Sequence, residues 1–174
     1  SMPLLKKNEN STNTLIPKLS LRLSPHEMKN NKSTNRRVNI DNVFSSNRLS
    51  LSDSLEAGES ATLGLDFTKE KVNTKEKILE VEEYFDFKLA TVFRLKKEKN
   101  IPINSTLGKK TSNIFGKLNF KPNKVLSLGY DFSLTNDLST LEYNSLNTEL
   151  RYNDFSTQFN YIEERGVIGS TNVV

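Results

Sequence analysis

"FDFKLATVFRLK", residues 85–96, sets Phe85, Phe87, Leu89, Phe93 and Leu95 in alternation with Asp86, Lys88, Arg94 and Lys96. Successive side chains of a strand point to opposite faces, so this period of two predicts a β-strand with one apolar and one polar side. Leu79 and Val81 continue the pattern backwards.

The same period recurs on either side. Toward the N-terminus, Leu19, Leu21 and Leu23 alternate with Lys18, Ser20 and Arg22, and Ala61, Leu63, Leu65 and Phe67 alternate with Thr62, Gly64, Asp66 and Thr68. Toward the C-terminus, Ile114, Leu118 and Phe120 oppose Phe115, Lys117 and Asn119, and Leu126, Leu128, Tyr130, Phe132 and Leu134 oppose Ser127, Gly129, Asp131 and Ser133. Leu146, Leu150 and Tyr152 then oppose Asn147, Glu149 and Arg151, and Phe155, Phe159 and Tyr161 oppose Ser156, Gln158 and Asn160. The sum is about seven strands of roughly ten residues. Residues 68–84, rich in Glu and Lys at helical spacing, offer a helix as the alternative to strand pairing.

Connection lengths alternate. "KPNK", residues 121–124, and "NDF", residues 153–155, read as tight turns, whereas residues 97–112 form a long polar loop and 135–140 a shorter one. An antiparallel meander with unequal ends follows. The expected organisation is a disordered or incomplete N-terminal edge over 1–13, a β-barrel segment over 14–165 and a truncated C-terminal edge over 166–174.

Composition narrows the class. Only 34% of the 174 residues are hydrophobic and there is no Trp, which makes a large conventional core hard to build. The charge of +4 arises from 25 basic and 21 acidic residues mixed along the chain, with no nucleic-acid motif, so no nucleic-acid partner is expected. There is no cysteine and no apolar run long enough for a transmembrane helix.

No charged residue falls on the apolar side of the seven strands. Such segregation suits a soluble sheet packed on one face, and equally a membrane barrel with its apolar side in lipid and its polar side in the lumen. Two quantities favour the barrel: a tilted strand crosses a bilayer in about 9–11 residues, and a lysine at the lipid midplane costs about 2–4 kcal/mol. Phe85, Tyr130, Tyr152 and Tyr161 read either as interfacial girdle residues or as core aromatics.

Catalytic chemistry finds no foothold. His26 is the only histidine and reads as an exposed loop residue; neither a nucleophile elbow nor a phosphate-cradling glycine loop is present. Glu82 and Glu83, like Glu163 and Glu164, are adjacent and on strands would point apart. The expectation is a protein that is not an enzyme, with no cofactor and no metal.

One stretch breaks the alternation: "NVFSSNRLSLSDSLEAG", residues 42–58. Asn42, Phe44, Ser45, Asn47, Arg48, Ser50, Asp53, Glu56 and Gly58 stand at the spacings of the signature in the barrel domain of the LptD family, the lipopolysaccharide-assembly or organic solvent tolerance proteins, and the stretch resembles that signature. Leu49, Leu51 and Ser54 depart from the family's usual Phe, Gly and Arg. The flanking "PKLSLRLSP" and "SATLGLDF", and the later "GKLNFKPNKVLSLGYDF", resemble strands of the same barrel.

The resemblance implies an all-β antiparallel meander, a partial transmembrane β-barrel from the internal part of the C-terminal barrel domain. It implies a part in moving lipopolysaccharide into the outer leaflet of the Gram-negative outer membrane. The implied partners are lipopolysaccharide, outer-membrane lipid, an LptE-like lipoprotein plug and, through an N-terminal domain, a periplasmic Lpt bridge protein. Lys18, Arg22, Lys88, Arg94, Lys117 and Arg151 are candidate lumen-facing basic residues for an anionic glycolipid, set against ordinary pairing with Asp66, Asp131 and Glu149. Another outer-membrane channel or porin, or a soluble β-sheet adhesin or binding domain, are the alternatives. Arg48 is expected to pair with Asp53 or Glu56.

Overall fold

The computed structural model describes the backbone of residues 2–75, 78–166 and 169–173, and side chains over 2–71 and 84–165. Nine antiparallel strands form one sheet in chain order: β1 (Leu4–Asn8), β2 (Ser11–Ser24), β3 (Gly58–Lys75), β4 (Ile78–Arg94), β5 (Ile114–Phe120), β6 (Leu126–Leu134), β7 (Leu141–Tyr152), β8 (Phe155–Gly166) and β9 (Gly169–Val173). The sheet is an open meander whose edges are β1 and β9. One short 3-10 turn, Ile103–Ser105, interrupts the long loop after β4.

The alternation of apolar and polar residues gave the strands their positions, and two details differ. There are nine strands where about seven were expected. The additional ones are β1 and β9; residues 4–8, expected to be a disordered or incomplete edge, pair with residues 11–15 of β2. Most of the Lys- and Glu-rich 68–84 region is strand, because residues 70–75 and 78–83 pair with each other across β3 and β4. Around a bulge after Lys69, Lys71 lies in register with Glu82, an opposite-charge pair, whereas Glu70 lies in register with Glu83.

Connections fall as the lengths predicted. Asn153 and Asp154 join β7 to β8 between the paired Tyr152 and Phe155, and Asn153 takes φ 51°, the left-handed geometry that a two-residue hairpin requires. Residues 25–57 and 95–113 lie at the opposite end of the sheet, and there they fold back over it.

Burial is inverted relative to a packed soluble sheet. Leu19, Leu21 and Leu23 of β2 are 64–76% exposed, whereas Ser60, Thr62, Asp66, Asp86 and Arg94 on the polar face are buried. Register aligns the apolar side as one surface, with Leu21, Ala61 and Phe93 in one row and Leu19, Leu63 and Thr91 in another. Phe85, Tyr130, Tyr152 and Tyr161 belong to this outer surface, and Tyr152 is 67% exposed. The buried apolar cluster lies instead on the polar side: Met28, Val38, Ile40, Val43, Leu49 and Leu51 from one loop and Ile101 and Leu107 from the other meet Ala90, Val92 and Phe115 of the strands.

Candidate functional site

The sharpest constellation on the polar face is built by residues 42–58. Arg48 is 2% exposed. Its Nε and Nη2 donate to Glu56 Oε2 and Oε1 at 2.7 and 2.6 Å, a two-pronged pairing that only a guanidinium makes with a carboxylate. Nη1 donates to Thr62 Oγ1 at 2.9 Å and to the Val43 carbonyl at 3.3 Å, and Nη2 also reaches Ser60 Oγ at 3.1 Å. The signature loop is thereby tied to the inner face of β3.

Two strand arginines complete it. Arg94 of β4 donates from Nη1 to Glu56 Oε1 at 2.5 Å and from Nη2 to the Ala57 carbonyl. Arg22 of β2 donates to the Ser46 and Ser45 carbonyls at 2.8 and 2.9 Å, with its Nε 3.9 Å from Glu56. Three guanidiniums therefore converge on one carboxylate, from the loop and from two strands. Burial alone would push the Glu56 carboxyl up, but the hydrogen bonds and charge of Arg48, backed by Arg22 and Arg94, hold it below the usual carboxylate range.

Two glycines admit these contacts. Gly58 takes φ +89°, and a Cβ there would meet Arg94 Nη2 at 2.8 Å. At Gly64, in the middle of β3, a Cβ would meet the Phe44 ring at 2.5 Å, so the absent side chain is the seat into which Phe44 drops. Lys18, in register with Gly64, lies over the same ring, 5.6 Å from its centre.

The remaining signature residues shape the loop itself. Asn42 Oδ1 accepts from the Asn39 amide at 2.9 Å and its Nδ2 donates to the Arg37 carbonyl at 3.2 Å. Ser45 Oγ accepts from the Asn47 amide at 3.4 Å, and the Asn47 carbonyl accepts from the Ser50 amide, Ser50 standing at φ 47°. Of the two expected partners for Arg48, the structure uses Glu56. Asp53 is at the surface, 3.3 Å from Lys29.

The six basic candidates all lie on the polar face, yet each is engaged. Lys18 pairs with Asp66, Lys88 with Asp86 at 3.1 Å, and Arg151 with Glu149 at 2.6 Å. Lys117 pairs with Asp41 of the loop at 2.9 Å and with Asp131 at 3.6 Å. Arg22 and Arg94 hold the signature loop. These partners make the six a structural lining.

Other anchors gave no local signal in the sequence. Arg37 pairs with Glu164 of β8 and stacks 4.5 Å from the centre of the Tyr143 ring. Buried Asn113 donates to Ser133 Oγ at 3.0 Å and to Glu142 at 2.7 Å. Each joins residues far apart in the chain, so spacing could not show it. Between these anchors lies a cavity of about 410 Å³, lined by Arg37, Thr106, Lys109, Glu142 and Tyr143 among others.

The arrangement can hold a loop over a polar wall and line a passage with balanced charge. Among the described residues no group of three or more His, Cys, Asp or Glu is placed to hold a metal ion. A family model described as LPS transport system D matches residues 2–172. No curated protein matches the chain.

Proposed function

The chain belongs to the LptD family, whose role is in lipopolysaccharide transport, and from that membership we propose that these strands form part of the wall of an outer-membrane translocon. The single observation that carries the proposal is the inverted burial: leucines outside, charges inside. Strand β3 supports it with a length. Between Glu59 and Lys69 its outward residues are uncharged. Ten residue steps of about 3.3 Å, tilted about 40°, rise about 25 Å, the height of a barrel's apolar band.

In this reading the polar face lines the lumen and the tight turns face the periplasm, with the long loops at the cell surface. Residues 25–57, latched by Arg48 and Glu56, narrow the lumen from the surface side. Lipopolysaccharide passes along a wall whose positive charges are locally paired, so the wall attracts an anionic glycolipid without trapping it. An LptE-like lipoprotein inside the barrel and a periplasmic Lpt bridge delivering substrate are the partners we assign. The role is carriage, without covalent chemistry.

Photo-crosslinkers incorporated in the intact protein test the two faces. A probe replacing Asn147, on the inner face, is expected to capture lipopolysaccharide during transport. A probe replacing Leu150, on the outer face near the tight turns, is expected to capture phospholipid. Lipopolysaccharide adducts absent from the inner position would refute the assignment.

A further inference from the structure

Strands β3 and β4 run past both of their neighbours at the end of the sheet where the tight turns lie. Lys71 is the last residue of β3 with a partner on β2, and Phe85 the last of β4 with a partner on β5. Among the described residues, 72–75 and 78–83 beyond them pair only with each other. Six residue steps of about 3.3 Å, from Tyr84 to Ile78, carry this hairpin about 20 Å past the end of β5. The turn after β5 leaves that side open. The Lys121 amide makes the last bond to β4, donating to the Tyr84 carbonyl at 2.9 Å, and Pro122 has no amide with which to continue. Asn123 Oδ1 then accepts from the Val125 and Leu126 amides, both at 2.9 Å, and the chain turns back into β6.

Residues 78–83 are thus an edge strand with an unpaired row of backbone donors and acceptors. Their sequence, "ILEVEE", alternates from Leu79 to Glu82, contains neither Pro nor Lys, and lies outside the bulge after Lys69. The common devices that blunt an edge are missing. The charge is acidic: residues 70–83 hold Lys71, Lys75 and Lys77 against Glu70, Glu76, Glu80, Glu82 and Glu83. Register sets Glu82 opposite Lys71, but Glu80 opposite Asn73 and Glu83 opposite Glu70. The open edge therefore keeps a negative surplus.

We propose that Ile78–Glu83 is a docking edge for an extended segment of another protein that alternates Lys or Arg with aliphatic residues, added to the sheet as a strand in line with β5. Main-chain bonds supply the attachment, and cross-strand charge supplies the selection. A second copy of this chain is not the occupant, because neither edge holds a cation to set against the other's three glutamates. The base of the hairpin is tied to the neighbouring turn: Lys71 Nζ donates to the Pro122 carbonyl at 3.4 Å and lies 3.9 Å from the centre of the Tyr84 ring. The edge itself follows from the register of the sheet. Its periplasmic placement rests on the membrane reading above.

The test uses the intact protein in detergent and two short blocked peptides, one alternating Lys with Val and the other Glu with Val. By fluorescence anisotropy the Lys peptide is expected to bind about tenfold more tightly than the Glu peptide. It is also expected to slow amide hydrogen exchange within residues 78–83, as an added strand must. E80Q/E82Q/E83Q, which removes the charge and keeps the side-chain size, is expected to bind the Lys peptide about tenfold more weakly. Equal binding of the two peptides, binding of neither, or unchanged affinity in the variant overturns the docking edge. Binding without slowed exchange at 78–83 overturns it as well, since a loose charge contact would give that result. Failure of the protein to float with phosphatidylethanolamine vesicles is a separate outcome: it overturns the membrane reading and leaves the peptide result standing.

Discussion

Glu56 is one carboxylate facing three guanidiniums, and its removal leaves a concentration of buried positive charge. Breaking a buried pair from one side costs about 3–5 kcal/mol, so Glu56→Gln is expected to release residues 25–57 from the wall. Limited proteolysis across that loop, faster in the variant while strand content by circular dichroism stays unchanged, checks it. The pH dependence has a definite sign. Because the folded carboxyl titrates below its ordinary value near about 4.3, its contribution is full above that value and is lost as the pH falls through the lower folded one. Wild-type loop protection should therefore hold at neutral pH and fail only below the ordinary carboxylate range, whereas Glu56→Gln should be unprotected throughout. The spacing of the loop made this pair legible in the sequence as one of two, with Asp53 or Glu56 as the partner of Arg48. The parts played by Arg22 and Arg94 were not legible, since on a strand a latch and a lumen charge look alike.

At the scale of elements, a single missing side chain decides whether the loop docks. Gly64→Val would place atoms where Phe44 sits and is expected to cost about 1–3 kcal/mol through overpacking, read as lost protection of residues 25–57. Gly129→Ala is the control, because a Cβ there meets nothing closer than Asn119 Oδ1 at 3.5 Å; its protection pattern should match the wild type. Strand identity was legible wherever lipid-type alternation held, as in Leu19, Leu21 and Leu23. It faded at residues 69–71, where Lys69, Glu70 and Lys71 put charge on both faces of β3. The same reason hid β1, whose five residues are all exposed and include only two leucines. The loop core of Val38, Val43, Leu49 and Leu107 was illegible because it is assembled from two connections that no periodicity describes.

For the whole molecule, the central claim is that the leucine-covered face is solvated by lipid. A soluble protein with this sheet would bury Leu19, Leu21, Leu23 and Leu63 and expose the charges; here the reverse holds. The claim is tested most directly at Leu63, which lies near the middle of the stretch between Glu59 and Lys69 over which the outward residues of β3 are uncharged. Equilibrium urea unfolding of the intact protein in lipid vesicles, comparing Leu63→Arg with Leu95→Arg at the edge of the band, separates the alternatives. The account predicts a loss of about 2–4 kcal/mol at Leu63 and about 0–1 kcal/mol at Leu95. A Leu63→Arg protein as stable as the wild type, which is what an exposed site in water would give, would contradict it.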